Sequence, residues 1–249
     1  MALLQVNNVT KRFGGLVANH EVSFQVDQDE VVGLIGPNGA GKTTLFNCIA
    51  GFYPLTSGNV VFDGENITGL SDFQVARLGL ARTFQIFQAS GDLKVVENVM
   101  VGSFMRTSSR GGAREVALEV MDFLGIVDTA GEMMTELPVA AQKRVALATA
   151  LASDPKLLLL DEVGAGLNPS EIDGLIELLQ RVHGERGVAL LLTEHVLEMV
   201  MKLSHRVIVL ESGRKIAEGE PATVVKDPEV VRAYLGDHYV KRQKENGDA

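Results

Sequence analysis

"VVGLIGPNGAGKTTLFNCIAG", residues 31–51, holds the reading that decides the fold. "VVGLI" is a short, wholly apolar run, the pattern of a strand buried on both faces. "GPNGAGKT", Gly36 to Thr43, runs Gly, four residues, then Gly-Lys-Thr. "LFNCIAG" has helical spacing and closes at Gly51, a residue suited to the left-handed position past a helix end. Strand, glycine-rich loop and helix in that order make a phosphate-binding loop. Its glycines let backbone N–H groups face a polyphosphate, and the helix N-terminus favours the anion. Lys42 would neutralise the β and γ oxygens of a nucleotide, and Thr43 would offer a hydroxyl to Mg²⁺.

Upstream, "LLQVNNV", "EVSFQV" and "VVGLIG" read as short strands separated by "FGG" and "DQDE", a strand-rich edge. Downstream, "GNVVFDGENI" is a strand running into an Asp-Gly turn, and "FQVARLGLARTFQ" is a short helix followed by a strand. From about residue 93 to 152 helical patterns replace strand patterns, which marks a helical subdomain at about 90–153. "KLLLLDE", "SEIDGLIELLQRVHGE", "VALLLTE", "HVLEMVMKLS" and "RVIVLESGRKIAEGE" then alternate strand and helix. Their strands lack polar alternation, as in a parallel sheet covered on both faces. The expected fold is α/β: a P-loop NTPase core with a mostly parallel sheet, an N-terminal antiparallel β edge and a helical lobe. It forms one domain over residues 1–249, with a short helical tail over 221–249.

Acidic residues follow the apolar strand "LLLL" at Asp161 and Glu162. That is the end of a parallel strand where ligands bind in open α/β sheets. Asp161 is placed to hold a Mg²⁺ shell, and Glu162 to act as general base on a water aimed at the γ-phosphate. "LLLTEH" ends another strand with His195, within reach of a bound γ-phosphate, and "ARTFQ" ends a fourth with Gln85, a neutral ligand for Mg²⁺ or water.

Composition narrows the partners. With 249 residues and 46% hydrophobic content, the chain builds a sizeable core. A net charge of -9 excludes a broad nucleic-acid-binding face, which needs clustered Lys and Arg. No apolar run approaches the ~20 residues of a membrane span, so the chain is expected on the cytosolic side. Cys48, the single cysteine, sits in "LFNCIAGF" as a packing thiol.

The ordered set "KRFGG", "GPNGAGKTT", "ARTFQ", "LLLLDE", "AGLNP", "TEH" and "VVRAYLG" resembles the ATP-binding cassette subunits of membrane transporters over nearly the whole chain. Within that family it looks most like the branched-chain amino acid transporters. The resemblance implies ATP as ligand with Mg²⁺ as cofactor. It puts Phe13 against adenine and Gly36, Pro37, Asn38, Gly39, Ala40, Gly41, Lys42, Thr43 and Thr44 around the phosphates. Gln85, Asp161, Glu162 and His195 take the roles above, and Gly166 to Asn168 fall in a loop crossing a dimer interface. It further implies a head-to-tail pair of cassettes with ATP between one loop and the partner's signature helix. Two transmembrane permease subunits, an external substrate-binding protein and a place on the cytoplasmic face of the inner membrane complete the expectation. The cargo would be branched-chain or other amino acids, amides or small carboxylates. "IFQASGDLKVVENVM", residues 86–100, is the expected docking surface for the permeases. An exporter cassette of the lipopolysaccharide type and a soluble regulatory cassette are the alternatives. The first normally works as a homodimer, and the second usually carries tandem cassettes, coiled coils or a basic face.

One motif departs from the family. Its signature helix begins Leu-Ser-x-Gly-Gln or Leu-Ser-Gly-Gly-Gln, where this chain has Leu137, Pro138, Val139, Ala140 and Ala141. Pro138 has neither the serine hydroxyl nor an N–H, and Ala140 puts a methyl where glycine lets backbone approach a phosphate. Each charge-assisted hydrogen bond lost is worth about 1.5–3 kcal/mol, a factor of roughly ten or more in γ-phosphate contact. Proline is tolerated in the first helical turn, so the helix should form while its grip weakens. A heterodimer of unequal sites follows, with this chain's loop completed by a partner carrying a standard signature. Val163 stands where the family often has proline, and Asn168 where the wider family has Asp.

Overall fold

The computed structural model describes residues 2–83 and 92–235, so Gln85, residues 86–91 of the expected docking segment and residues 236–249 of the expected helical tail lie outside the described residues. Two sheets lie at the centre. The first is antiparallel: β1 (Ala2–Phe13) and β2 (Leu16–Asp27) form a hairpin, with β4 (Ser57–Phe62) and β5 (Glu65–Asn66) beyond β1 in the order β2-β1-β4-β5. Its strands run longer than their hydrophobic patterns, pairing from Ala2 with Asp27 to Phe13 with Leu16. The extra length comes from polar residues that would ordinarily end a strand. Lys11 donates to the Pro54 carbonyl at 2.8 Å, and Asn19, fully buried, donates to the Gly41 carbonyl at 3.1 Å. These side chains are held inward by backbone acceptors, so the alternation breaks while the ladder continues.

The second sheet has six strands in the order β10-β9-β3-β8-β7-β6. They are β3 (Val31–Ile35), β6 (Leu80–Arg82), β7 (Leu157–Asp161), β8 (Ala189–Thr193), β9 (Arg206–Glu211) and β10 (Arg214–Gly219). All neighbours are parallel except β10, which turns back on β9. Helices cover it: α1 (Lys42–Ile49), α2 (Asp72–Arg77), α3 (Val95–Ser103), α4 (Arg110–Phe123), α5 (Val139–Leu151), α6 (Pro169–Arg186), α7 (Leu197–Leu203), α8 (Pro221–Val224) and α9 (Pro228–Leu235).

The unbroken leucines of β7 are explained by the two cores. Leu158 and Leu160 pack with α3 to α7, whereas Leu157 and Leu159 pack with α1 and the antiparallel sheet. All four are fully buried, each contributing about 1.5–3 kcal/mol. A strand sandwiched this way needs no polar alternation.

The docking expectation changes in part. Within residues 92–100, Val95, Val96, Val99 and Met100 are buried in the core, and the exposed apolar side chains nearby are Val101 and Phe104. A helix this short spends its apolar face on α4 and α5 and leaves its far edge exposed. Among the described residues no helix is long and apolar enough to cross a membrane.

Candidate active site

Parallel register brings the C-terminal ends of β3, β7 and β8 to one edge of the sheet, and the site lies there. After β3 the chain enters the loop from Gly36 to Gly41. Gly36 has φ 150, and a Cβ on it would stand 2.1 Å from the Leu210 carbonyl oxygen. Gly41 caps α1 with φ 100, and a Cβ there would stand 2.4 Å from the Ala18 carbonyl. Only glycine lets this loop lie against β2 and β9.

The loop delivers Lys42, which is 6% exposed; its Nζ donates to the carbonyls of Gly36 at 2.7 Å and Pro37 at 3.2 Å. Burial pulls the Lys42 pKa down, against the carboxylates of Glu162 and Asp161, which pull it back up. The first turn of α1 carries no side-chain cap and no acid. The N–H groups of Lys42, Thr43 and Thr44 therefore have no intrahelical partners and attract an anion. Asn38 to Thr44 line a cleft of about 470 Å³ whose other walls are Leu16 to Ala18, Ser212, Gly213, Glu162 and His195.

Across this cleft stands the acidic side. Glu162 follows β7 in a left-handed conformation, φ 51, with its N–H bonded to the Thr193 carbonyl at 2.9 Å. Its Oε1 lies 2.8 Å from His195 Nε2. Asp161 sits deeper, 1% exposed; Oδ1 accepts from Thr193 Oγ1 at 2.7 Å and Oδ2 from Arg82 Nη2 at 2.7 Å. Arg82 also donates from Nη1 to Asn47 Oδ1 at 2.6 Å.

Lys42, Thr43, Glu162 and His195 therefore meet at one cleft, with Asp161 directly behind. Phe13 is not among the residues lining it. Its ring packs edge-on against Tyr53 at 5.5 Å between centroids, with Lys11 Nζ 4.7 Å from its centre. Gln85 lies outside the described residues. Cys48 is buried and its thiol is pushed up to about 11 by burial, which leaves it unreactive.

Several residues around the site escaped the sequence reading. Arg82 immediately precedes Thr83 in "ARTFQ", and register alone sets it beside Asp161, since Arg82 pairs with Leu159. Tyr234, on the amphipathic "PEVVRAYL" of α9, lines a neighbouring pocket together with Glu194 and His195. Lys143 and Glu194 reach the backbone just after Glu162.

Thr43 and Asp161 offer the hard oxygen donors that suit Mg²⁺. Both Asp161 oxygens already accept one hydrogen bond, and each keeps a lone pair for a metal-bound water. The residues fit the ion.

The departing signature motif opens α5. Pro138 is the N-cap, φ −60 and ψ 156, one position earlier than the first turn expected for it. No side chain caps the helix. The Gln142 N–H bonds to the Pro138 carbonyl at 3.0 Å, so Val139, Ala140 and Ala141 present the free N–H groups of the first turn. Asn168 is the N-cap of α6, accepting from the Glu171 N–H at 3.1 Å while Glu171 returns the bond to the Asn168 N–H at 2.8 Å. The "NPSE" stretch thus carries a capping-box signal besides its place in the "AGLN" loop.

A mixed sheet with the phosphate loop after its central strand, an antiparallel sheet beside it and helices on the far face define the class: a nucleotide-hydrolysing cassette. A family model described as ABC transporter matches residues 19–165, and one described as branched-chain amino acid ATP-binding cassette transporter matches 214–240. The chain belongs to the ATP-binding cassette transporter family; it is an ATP-binding subunit with the ATPase activity general to that family. It is 37% identical to the high-affinity branched-chain amino acid transport ATP-binding protein BraF of Pseudomonas aeruginosa, over 94% of this chain and 98% of that one. It is 36% identical to the protein of the same description, LivG, of Escherichia coli, with the same coverage. A nucleotide-free cassette from an ABC transporter superposes with a TM-score of 0.87 at 30% identity, covering 95% of this chain and 100% of that one. A dimeric post-hydrolysis cassette bound to ADP and Pi superposes at 0.79 with 26% identity, covering 88% and 98%.

Proposed function

We propose that this cassette drives import of branched-chain amino acids, pairing with a second, different cassette beneath two transmembrane permeases on the cytoplasmic face of the inner membrane. The observation that carries the chemistry is the Glu162–His195 pair, 2.8 Å apart, facing Lys42 across one cleft. ATP would lay its phosphates on Gly36 to Thr44, where Lys42 and the free N–H groups of α1 meet the charge. Glu162 would take a proton from water attacking the γ-phosphate, in line with the departing ADP. His195 would hold Glu162 by one ring nitrogen and orient it toward that water. Thr43 and Asp161, with Gln85, would hold Mg²⁺, which when bound supplies positive charge to the β and γ oxygens. Phe13, at the open end of β1, would swing from Tyr53 to adenine.

The printed descriptions of BraF and LivG, and the family match at 214–240, support the cargo and disfavour the lipopolysaccharide exporter and the soluble regulator. The uncapped start of α5 supports the heterodimer, because this helix would grip a partner's γ-phosphate weakly. A docking role for α3 fits its exposed Val101 and Phe104. We also read residues 90–153 as a subdomain of one cassette domain. The test is purification of the intact complex with mass analysis of its subunits, followed by uptake in proteoliposomes. One copy each of two cassettes, and ATP-driven uptake of leucine, isoleucine or valine, is the expected result. Two copies of this chain with no second cassette would overturn the pairing, and uptake of none of the three the cargo.

A further inference from the structure

The general base proposed above opens a tight turn, closed by the Ala165 N–H on the Glu162 carbonyl at 3.2 Å, and side chains from elsewhere in the fold add to its hold. Glu162 is left-handed and is followed by Val163, Gly164 and Ala165, a stretch with no proline to stiffen it. Side chains from two separate elements grip the two residues after it. Lys143 Nζ, from α5, donates to the Val163 carbonyl at 2.8 Å. Glu194 Oε1, at the end of β8, accepts from the Gly164 N–H at 2.7 Å. Glu194 is 3% exposed, and a Cβ on Gly164 would stand 3.3 Å from both its oxygens, so the fit leaves no slack. The next residue, His195, holds the Glu162 side chain. The end of β8 thus grips both backbone and carboxylate.

We propose that Lys143 and Glu194 are positioning residues for Glu162, a two-point clamp that fixes where its carboxylate meets the attacking water. Neither lines the nucleotide cleft, whereas Glu162 and His195 do, so their effect passes through Glu162. The proposal rests on the reading of Glu162 as the base. Burial raises the Glu194 pKa and lowers that of Lys143, and each charge eases the other; a neutral Glu194 still offers Oε1 to Gly164.

The test is steady-state ATP hydrolysis by the intact complex. Lys143→Met should lower kcat at least tenfold with KM for ATP within twofold, and Lys143→Arg should return kcat to within threefold. Glu194→Gln keeps the acceptor and should stay within threefold, while Glu194→Leu should match Lys143→Met. Amide exchange of the peptide spanning 162–166, followed by mass spectrometry on the complex, should quicken in Glu194→Leu and not in Glu194→Gln. In a Glu162→Gln background, Lys143→Met should change the residual rate less than twofold, since its route is already closed. Wild-type kcat in Lys143→Met, no rescue by Arg, or a further tenfold loss in the Glu162→Gln background would overturn the clamp and leave the base standing. An unchanged kcat in Glu162→Gln alone would remove the base, and the clamp with it.

Discussion

Arg82 is paired with an aspartate that water scarcely reaches. The two side chains are 6% and 1% exposed. Removing one partner of such a pair leaves a buried charge uncompensated, at a cost of about 3–5 kcal/mol. Arg82→Met is therefore expected to lower unfolding stability by that amount, measured as a shift in urea midpoint at constant slope. Lys42, Thr43, Asp161, Glu162 and His195 were legible in the sequence because each belongs to a short motif whose chemistry is local. Arg82 was not, because its partner lies 79 residues away and only the β6–β7 register sets them side by side. Lys143 and Glu194 escaped for the same reason: they act on backbone 20 and 30 residues distant.

Among the elements, α5 combines sound packing with an unfinished start. Val145, Leu147, Ala148 and Leu151 bury it, while nothing caps Val139 to Ala141. The double change Pro138→Ser and Ala140→Gly restores a capping hydroxyl, worth about 1 kcal/mol, and backbone access to phosphate. It should tighten ATP at the facing loop roughly tenfold, for about 1.4 kcal/mol is a factor of ten. Nucleotide titration of a hydrolysis-deficient complex would read the change. At the sheet's other end Arg206, from β9, bonds both oxygens of Glu30 at 2.9 Å. Burial works to raise the Glu30 pKa, but the Arg206 hydrogen bond, the Asp27 N–H and nearby positive charge leave it lowered. A lowered folded pKa means stability that is present above the unfolded value, about 4.3, and lost as pH falls through the folded one. Glu30→Gln should flatten that acid limb in unfolding scans below about pH 5. The parallel strands were legible from their unbroken apolar runs. The full β1–β2 hairpin was not, since Lys11 and Asn19 interrupt its pattern to bond backbone elsewhere in the fold.

For the whole molecule, sequence order gave the cassette architecture because each motif sits at a strand end, and a parallel sheet collects strand ends on one edge. It could not give the cleft's far wall, which in the proposed assembly belongs to another chain. The weak start of α5 predicts that this cassette alone hydrolyses ATP slowly. Adding the second cassette and permeases should raise the rate at least tenfold, as followed by phosphate release at matched cassette concentration. The most direct test of the motor role is ATP-driven leucine uptake by the reconstituted complex with Glu162→Gln in this chain alone. Loss of a general base costs about 10²–10⁴ in rate, so uptake should fall at least a hundredfold while ATP binding persists. Uptake at the wild-type rate in that variant, with the equivalent change in the partner cassette abolishing transport, would contradict it.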